Sequence, residues 1–389
     1  MSPSLVAASS GCTSCIETKP GPGRRVVLLA LLLAAAGLAP GARAATFCVS
    51  SASELQTALN TAASNGESDT IRLRRGTYLG SSGPIAFNYT SSENFSLTLE
   101  GGWVALTPGG CNLRFEGAED TVLDSGGDRS VLRLVAGVNS GASFTVRNLT
   151  IRNGRGSSGG TDFGGLRVLG LPLLGNITID RVVFRDNHSD SIGGGLRAQT
   201  LGVLRVVNSL FDGNSCNAYY CAADLFASAF AGGAGQPRLA FLGNTVVRTS
   251  CAGANCGLGQ VNIQTGTDFP SQYLVGNSVF ALNNGVDVAF QTPEGTLRNS
   301  RWDSRLGTPQ SMLSNLAQGA ATGFVAPAAG DFRLRPDSGL VDAGFAFAEL
   351  PEFDLDGADR LAGPHVDIGA YEFQPDLSRV FGNGFEALP

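Results

Sequence analysis

A four-residue motif recurs five times between residues 148 and 280, and no other feature of the 389-residue chain constrains its fold as strongly. The copies begin with Asn or Arg and end with an apolar residue: Asn148–Ile151, Arg181–Phe184, Asn208–Phe211, Asn244–Val247 and Asn277–Phe280. Their last residues are 33, 27, 36 and 33 positions apart. Internal repeats of this period predict a solenoid, in which similar units stack along one axis.

Each copy of the motif has one alternating apolar segment ahead of it and another behind it. The segments ahead are 144–146, 177–179, 204–206, 239–241 and 273–275, and those behind are 165–168, 195–198, 224–227, 260–263 and 285–288. Three short strands per repeat, joined by glycine-rich connections, predict an all-β fold: a right-handed parallel β-helix with three-strand coils. The 53 glycines suit its tight turns, and a charged content of only 15% argues against disorder.

Two further sets of residues support this interpretation. Ser51–Glu54 is a capping box followed by an apolar stripe, which predicts a short amphipathic helix over 51–64 that closes the open end of the coil. The asparagines at the start of the motifs are predicted to lie at a bend and to hydrogen-bond from coil to coil. They are Asn148, Asn208, Asn244 and Asn277, and Asn187 and Asn214 are expected to form a second, shorter ladder.

Residues 1–44 resemble a leader followed by a secretory signal. Arg24 and Arg25 precede an apolar stretch of 14 residues, and Ala42–Ala44 offers the small residues of a cleavage site. We therefore expect an exported protein, cleaved after Ala44 or Ala45. The C-x-x-C spacing of Cys12 and Cys15 lies in the part expected to be removed, so it is assigned no function.

The charge balance limits the partners. Removing residues 1–44 takes away 4 of 27 basic and 1 of 33 acidic residues, so the net charge falls from −6 to −9. Such an acidic chain is a poor ligand for nucleic acid or an anionic membrane. No later stretch is apolar enough to span a membrane. We expect a monomer.

Six cysteines remain after residue 44, and an even number in an exported chain favours disulfides. Cys48 and Cys111 are expected to pair. The others form two C-x4-C units in adjacent repeats, and both local pairing and coil-to-coil pairing are open because neighbouring coils lie about 4.8 Å apart. A four-thiolate zinc site is a third alternative. The four are Cys216, Cys221, Cys251 and Cys256.

Residues from about 48 to 300 resemble a known superfamily. Ser53–Leu59, Asp69–Leu73 and Gly76–Tyr78, followed by the repeats, are similar to right-handed parallel β-helix proteins of the pectate lyase-like superfamily. Enzymes of that superfamily cut acidic polysaccharides by hydrolysis with paired carboxylates, or by elimination with a basic residue and often calcium. The resemblance therefore implies a polysaccharide or a cell-envelope component as partner.

The end of the chain resembles the choice-of-anchor Q domain. Four blocks match that domain in order: Gly330–Pro336, Val341–Gly344, Asp354–Arg360 and Val366–Glu372. The resemblance implies export to the outside or the cell surface of a bacterium. The expected organisation is a signal at 1–44, a β-helix at 45–310, the Q-like domain at 311–373 and a tail at 374–389. Phe381–Glu386 resembles short tails of exported bacterial proteins, and its role as a sorting signal is open.

The residues that could carry catalysis are few. The hydrolase signatures of the superfamily are absent, and elimination by Lys is excluded because no Lys follows residue 44. An arginine-based lyase would need a calcium site and an arginine base on one face. The arginines that could line it are Arg181, Arg185, Arg197 and Arg205, with Asp162, Asp186, Asp190, Asp212 and Asp224 in nearby loops. His188, between Asp186 and Asp190, is a separate candidate for acid/base catalysis. We favour the alternative that these residues form solvated ion pairs, because an Arg with a pKa above about 12 is a poor base.

The C-terminal region contains a candidate calcium loop. Asp354, Asp356 and Asp359 offer carboxylates at calcium-loop spacing, without the Glu that closes an EF-hand loop. The alternative is that Asp354 or Asp367 pairs with Arg360 and holds the turns together. No other cofactor is expected.

The combined expectation is an exported, non-enzymatic β-helix whose flank binds a carbohydrate or another macromolecule. The competing hypothesis is an extracellular polysaccharide lyase or glycoside hydrolase.

Overall fold

The structure is a computed structural model that describes residues 44–80, 82–137, 140–157, 163–169, 174–228, 238–253, 258–266 and 272–375. Predictions for other residues fall outside this description. They concern the signal with Cys12 and Cys15, Asp162, Cys256, and the tail with Phe381–Glu386.

Short strands dominate the described chain. The first ten are β1 (Thr46–Val49), β2 (Asp69–Arg74), β3 (Gly76–Leu79), β4 (Ile85–Thr90), β5 (Leu97–Val104), β6 (Leu113–Arg114), β7 (Thr121–Asp124), β8 (Ser130–Val135), β9 (Phe144–Arg152) and β10 (Arg155–Gly156). The next ten are β11 (Leu166–Leu169), β12 (Ile177–Arg185), β13 (His188–Ser189), β14 (Leu196–Thr200), β15 (Leu204–Val207), β16 (Leu210–Asp212), β17 (Ser215–Cys216), β18 (Ala223–Ala227), β19 (Leu239–Leu242) and β20 (Thr245–Val247). The last ten are β21 (Ser250–Cys251), β22 (Val261–Thr265), β23 (Tyr273–Gly276), β24 (Val279–Ala281), β25 (Val288–Phe290), β26 (Gly295–Arg298), β27 (Arg305–Leu306), β28 (Ser311–Leu313), β29 (Phe324–Ala326) and β30 (Asp331–Leu334).

Of the described strands, β1 to β28 form three sheets with almost entirely parallel pairing, which confirms an all-β parallel β-helix, and β29 and β30 form a separate antiparallel pair. Sheet 1 follows the order β1-β2-β5-β9-β12-β15-β19-β23-β26-β28, with β3, β6, β7, β16, β20 and β24 beside this path. Sheet 2 has the order β27-β25-β22-β18-β14-β11-β8-β4, and sheet 3 has the order β10-β13-β17-β21. The coils from β9 to β22 pass through sheets 1, 3 and 2 in turn, and the earlier and later described coils have strands in sheets 1 and 2. The first two predicted strands of a coil belong to sheet 1, and the two-residue strands of sheet 3 were not predicted.

One helix closes the first coil, as predicted. Helix α1 spans Ala52–Ala62, and its buried stripe consists of Leu55, Ala58, Leu59 and Ala62. The Ser51 hydroxyl accepts the Glu54 N–H at 3.2 Å, and the Glu54 carboxylate accepts the Ser50 N–H at 2.7 Å. These contacts satisfy backbone donors that the first helical turn leaves free. Short 3-10 turns lie at Ala118–Asp120 and Pro327–Ala329.

The core repeats from coil to coil because inward residues at one register position lie above each other. Phe184 and Phe211 stack with ring centroids 4.8 Å apart, and Phe241 stacks on Phe280 at 5.8 Å. Phe241 comes from another register row, opposite Val206 and Val275, and its ring lies 6.1 Å from that of Phe211. All four rings are fully buried. Stacked rings of this kind bury large apolar areas and favour one register.

The fourth copy of the motif is displaced by one residue from the predicted alignment. Phe211 lies opposite Val246, and Val246 lies opposite Phe280. The structural repeat therefore ends at Val246 and not at Val247.

The bend ahead of the motif explains this displacement. The angle φ is 46° at Asn208, 63° at Gly243 and 46° at Asn277. Only Gly and, less readily, Asn adopt this left-handed conformation without large cost. Gly243 fills the bend in its coil, so Asn244 falls on the next position, inside the coil.

Asn244 belongs to a ladder that runs through the interior. The Ser209 N–H donates to Asn244 Oδ1 at 2.9 Å, the Asn244 N–H to Ser278 Oγ at 3.3 Å, and the Ser278 N–H to Ser300 Oγ at 3.2 Å. Of the four asparagines predicted to form one ladder, this ladder contains only Asn244, and its neighbours are Ser209, Ser278 and Ser300.

Two other predicted asparagine contacts also link coils. Asn187 Nδ2 donates to Asn214 Oδ1 at 3.0 Å, which is the expected second ladder. Asn148 Nδ2 donates to the Gly101 carbonyl at 3.1 Å.

Asn208 and Asn277 do not stack with each other and instead hold the C-terminal segment, which we define as residues 314–375. Asn208 Nδ2 donates to the Phe353 carbonyl at 2.8 Å. Asn277 exchanges two hydrogen bonds of 2.8 Å with the backbone of Phe345. Each fixes an otherwise irregular backbone to the coil. The last strand of sheet 1, β28, lies just beyond residue 310. The boundary between the β-helix and the Q-like domain at 310/311 stays a prediction.

The interior ladder gives a stability test. Replacing Asn244 with Ala removes the acceptor for the Ser209 N–H and leaves that donor buried, so we expect the free energy of unfolding to fall by about 2 kcal/mol. Urea denaturation followed by circular dichroism measures it. Asn217→Ala, at an exposed position, is the control and should change stability by less than about 0.5 kcal/mol. Equal losses in both variants would contradict the ladder's role.

Candidate functional site

The candidate base Arg185 is part of an ion-pair cluster. Its Nε lies 3.1 Å from Asp212 Oδ2, and its Nη2 lies 2.7 Å from Glu119 Oε1. Arg248 binds the other side of Asp212, with Nη2 2.6 Å from Oδ1. The Asp212 side chain is fully buried. Arg152 and Asp124 continue the row one coil earlier, at 2.8 Å.

This cluster makes Arg185 a poorer base than a free arginine. Burial alone would lower its pKa, but the charges and hydrogen bonds of Glu119 and Asp212 outweigh burial and raise the pKa above the ordinary arginine value. A proton acceptor needs the opposite shift. The geometry therefore favours the structural alternative, an ion-pair ladder.

The histidine candidate lies between a serine and an aspartate. His188 Nδ1 is 2.9 Å from Ser215 Oγ, and His188 Nε2 is 3.2 Å from Asp190 Oδ1. His188 and Ser215 are register partners in sheet 3, so their contact follows from strand pairing. The nearby N–H groups of Ser215 and Asn217 both donate to backbone carbonyls at 2.8 and 3.0 Å. They are therefore unavailable to stabilise an oxyanion, and the trio lacks a feature that acyl transfer needs.

Asp186 occupies a bend beside this trio. Its φ is 53°, and Asp tolerates the left-handed region better than most residues. Burial and the nearby charge of Asp212 raise the pKa of its carboxyl.

The structure places the other predicted arginines and aspartates on different faces. Arg197 and Asp224 lie in sheet 2 and pair at 3.4 Å, whereas Arg185 and Asp212 lie in sheet 1. The expectation that they share one face is wrong, because strands of one coil that are separated by a bend face different directions.

The candidate calcium ligands differ in their environments. Asp354 accepts the Ala358 N–H through Oδ1 and the Glu372 N–H through Oδ2, both at 2.8 Å, and is 1% exposed. Phe353 and Asp359 form a bridge that closes the loop. Asp354 therefore already satisfies the backbone of a tight turn. Among the described residues, the close groups of three or more metal-ligating side chains do not include these aspartates.

The buried guanidinium of Arg360 holds together the turns around Asp354. The Arg360 guanidinium is 3% exposed, and its Nη2 donates to the carbonyls of Asp367 and Gly369 at 3.1 and 2.7 Å. Glu372 Oε2 lies 4.0 Å from Arg360 Nε. Burial raises the pKa of Glu372 to about 7, and burial together with Asp354 raises the pKa of Asp356 to about 6.

The cysteines form disulfides. Cys48 and Cys111 are bonded, as expected, with Cα atoms 5.6 Å apart. Cys216 pairs locally with Cys221, five residues away. Cys251 is also disulfide-bonded, and its sulfur lies within 4.8 Å of the other two. The thiolates that a zinc site would need are therefore absent from these three residues.

The outward face of sheet 1 is closed by the C-terminal segment. Val183, Leu210 and Val279 point outward and are fully buried, packed with Ile368 and Ala370. A macromolecule cannot reach this part of the flank unless the segment leaves.

The outward face of sheet 2 carries a row of like charges that the sequence analysis did not single out. Arg133 lies opposite Arg167, and Arg167 opposite Arg197. The next positions in the row are Asp224 and Asn262. All three arginines are partly buried. The Leu-Arg pair that recurs at 132–133, 166–167 and 196–197 was the available signal.

A comparison with protein-family models finds no match to this chain, and neither does a search of curated proteins. No helix among the described residues is long and apolar enough to cross a membrane. The disulfides are typical of proteins outside the reducing cytosol.

Removing Asp212 tests the ladder. Asp212→Ala leaves Arg185 and Arg248 without their shared carboxylate, so we expect the free energy of unfolding to fall by about 3 kcal/mol. Chemical denaturation measures the change. Asp337→Ala breaks an exposed pair with Arg335 and should cost less than about 1 kcal/mol. An unchanged stability in Asp212→Ala would contradict a structural ladder.

The raised pKa of Glu372 predicts a pH effect. The folded chain keeps a proton on this carboxyl up to about pH 7, whereas the unfolded chain releases it near 4.5. Folding then binds a proton, so this group's contribution to stability is present below pH 4.5 and is lost as the pH rises to 7. Over this window Glu372→Gln should make the free energy of unfolding less dependent on pH, by roughly 1 kcal/mol per unit. The free energy of unfolding is measured against pH for the wild type and Glu372→Gln, with Asp337→Asn as control. Coinciding curves for the wild type and Glu372→Gln would refute the raised pKa.

Proposed function

We propose that this chain is an exported parallel β-helix that binds an extended anionic carbohydrate along sheet 2 without cleaving it. The observation that carries the proposal is the arginine row. Arg133, Arg167 and Arg197 occupy one register position on three successive coils, and like charges directly opposite each other destabilise a sheet. A bound polyanion would offset that cost.

The charges of sheet 1 provide the contrast. At the equivalent outward position there, Arg72, Glu100, Arg147 and Asp180 alternate in sign along successive coils. Arg72 approaches Glu100 at 3.3 Å, and Arg147 also pairs with Glu100. Alternation neutralises a face, whereas repetition of one sign creates a potential that attracts ligands of the opposite sign.

The ligand class follows from the geometry of the row. Successive arginines are separated by one coil, about 4.8 Å, so the row fits a polymer with regularly spaced anionic groups. The neighbouring row carries Gln199, Phe226 and Gln264. Amides and an aromatic side chain provide the polar and apolar contacts that carbohydrates use.

The resemblances to pectate lyase-like proteins and to choice-of-anchor Q domains support export and a polysaccharide or cell-envelope partner. The disulfides support an oxidising location. Glu119 and Asp212 raise the pKa of Arg185, which makes it unsuited to accept a proton, and this supports binding over elimination by an arginine base. The C-terminal segment would then serve sorting or attachment.

Binding is tested by replacing two arginines of the row. Arg133→Gln/Arg167→Gln should weaken binding to acidic polysaccharides at least tenfold at low salt and reduce its salt dependence, because two ion contacts are lost. Affinity electrophoresis or calorimetry with polygalacturonate, alginate and neutral glucans measures it. Arg333→Gln/Arg335→Gln removes the same charge from exposed positions in the C-terminal segment and should have little effect.

Equal losses in both double variants would contradict a specific row, and no binding by the wild type would contradict the function. Turnover is assayed as unsaturated ends or reducing sugar, with and without calcium. Turnover that is lost in Arg185→Gln or Asp186→Asn would instead support the lyase.

A further inference from the structure

A buried carboxylate beside the first strand lacks a full set of partners. Asp69 begins β2 and is 4% exposed. Its Oδ1 accepts a hydrogen bond of 3.0 Å from Asn65 Nδ2. Within the described structure, its Oδ2 is buried without a hydrogen-bond partner. Burying a charged oxygen costs free energy unless a cation or an N–H group satisfies it, so this oxygen points to a missing donor.

The surroundings of Asp69 are acidic. Glu67 Oε1 lies 3.4 Å from the same Asn65 nitrogen, and Glu93 Oε2 accepts a backbone N–H of the same loop at 3.0 Å. Burial raises the pKa of Asp69, and so do the charges of Glu67 and Glu93. The groups that lower this pKa, the Asn65 amide and the Ala45 backbone N–H, are uncharged. Among the described residues, the ion pairs include none of the three carboxylates. A cation at this place would therefore be stabilised by all three.

The backbone nitrogen of Ala45 faces this carboxylate. β1 and β2 pair in parallel with Thr46 opposite Thr70, so Ala45 lies opposite Asp69. The Ala45 carbonyl accepts the Thr70 N–H at 2.9 Å. The N–H and C=O of one residue in an extended strand point to the same side, and those of the next residue point to the other. The Ala45 nitrogen therefore faces β2, which agrees with its effect on the pKa of Asp69, whereas the Thr46 nitrogen faces away.

The expected signal cleavage falls at the same residue. Ala42–Ala44 offers the small residues of the cleavage site, and cleavage is expected after Ala44 or Ala45. Hydrolysis of the Ala44–Ala45 peptide bond by a signal-processing peptidase adds one water, which leaves a carboxylate on Ala44 and an α-amine on Ala45. An α-amine is mostly protonated at pH 7. Only cleavage after Ala44 places this charge on the nitrogen that faces Asp69, because cleavage one residue later removes Ala45.

We propose that cleavage between Ala44 and Ala45 creates an α-ammonium group that pairs with Asp69 and anchors the first strand of the mature chain. The ammonium supplies the donor that Asp69 Oδ2 lacks and the cation that the acidic surroundings lack. It also fixes the end of β1, which has a neighbour in sheet 1 on one side only among the described strands. This inference rests on the expected secretory signal and is independent of any ligand of sheet 2, so a failure of the polyanion proposal leaves it intact.

The first experiment identifies the start of the mature chain. The full chain is expressed with its own signal in an exporting bacterium, and the exported protein is examined by N-terminal sequencing and intact mass. We expect Ala45 as the first residue. A mature chain that begins at Thr46, or at any other residue, overturns the inference.

The second experiment measures how freely the α-amine reacts. No Lys follows residue 44, so the α-amine is the only primary amine of the mature chain. An amine-reactive ester at pH 7 should label the native chain roughly tenfold more slowly than the Asp69→Asn variant, because pairing holds the amine in its protonated form. Asp337→Asn, at an exposed carboxylate, is the control and should react like the wild type. Equal rates in the wild type and Asp69→Asn overturn the pairing.

The third experiment measures the coupling between the amine and the carboxylate. Two forms of the chain are released from fusions, one that begins at Ala45 and one that begins at Ala44, which moves the amine by one residue. Asp69→Asn should lower the equilibrium constant for folding by roughly tenfold in the first form and much less in the second, as measured by urea denaturation. With Asp69 intact, the form that begins at Ala45 should be the more stable of the two.

The outcomes of the third experiment separate pairing from other roles of Asp69. Equal effects of Asp69→Asn in both forms would show a carboxylate that acts without the amine and would overturn the inference. If Asp69→Asn does not fold, the two forms with Asp69 intact decide, and equal stability overturns the inference. Stabilisation of both forms by millimolar calcium to the same extent, with equal effects of Asp69→Asn, would assign the carboxylates to a metal ion instead.

Discussion

Parallel pairing between successive coils is the constraint on which the rest of this structure depends. Each residue lies above its counterpart in the next coil, so any property of one register position is repeated along the axis. The stacked rings of the register partners Phe184 and Phe211 and the interior ladder through Asn244 both follow from this pairing. Repeated apolar or hydrogen-bonding residues stabilise every coil in the same way, and repeated charges of one sign add to a common electrostatic potential.

The two outward faces use this repetition differently. In sheet 1, opposite charges alternate near the first coils, and later coils present apolar residues that the C-terminal segment covers. In sheet 2, Arg133, Arg167 and Arg197 repeat one sign. The physical difference is that charges of both signs alternate on the first face, whereas three like charges follow each other on the second before Asp224 pairs with Arg197. This contrast directs the functional proposal to sheet 2.

The C-terminal segment has little regular structure, and specific contacts replace strand pairing in holding it. Asn208 and Asn277 donate to its backbone, and Arg360 lies buried between its turns. Asp354 and Glu372 use their carboxylates to satisfy backbone N–H groups of the segment. These carboxylates therefore hold the segment compact. The spacing that suggested a cation site is used here to satisfy backbone N–H groups.

The repeat determined the fold class and the capping box determined the helix, because hydrophobic period and turn residues are local properties. The cysteine count predicted the Cys48–Cys111 pair. The repeat did not determine the register of Asn244, because Gly243 fills the bend equally well. Nor could it reveal that Asn208 and Asn277 bind a segment about 70 to 145 residues away. The tertiary structure alone decided which arginines stack and which are paired. Side chains from distant coils meet only when the stack closes, and so the structure separated Arg185 in its ion-pair ladder from the row that begins at Arg133.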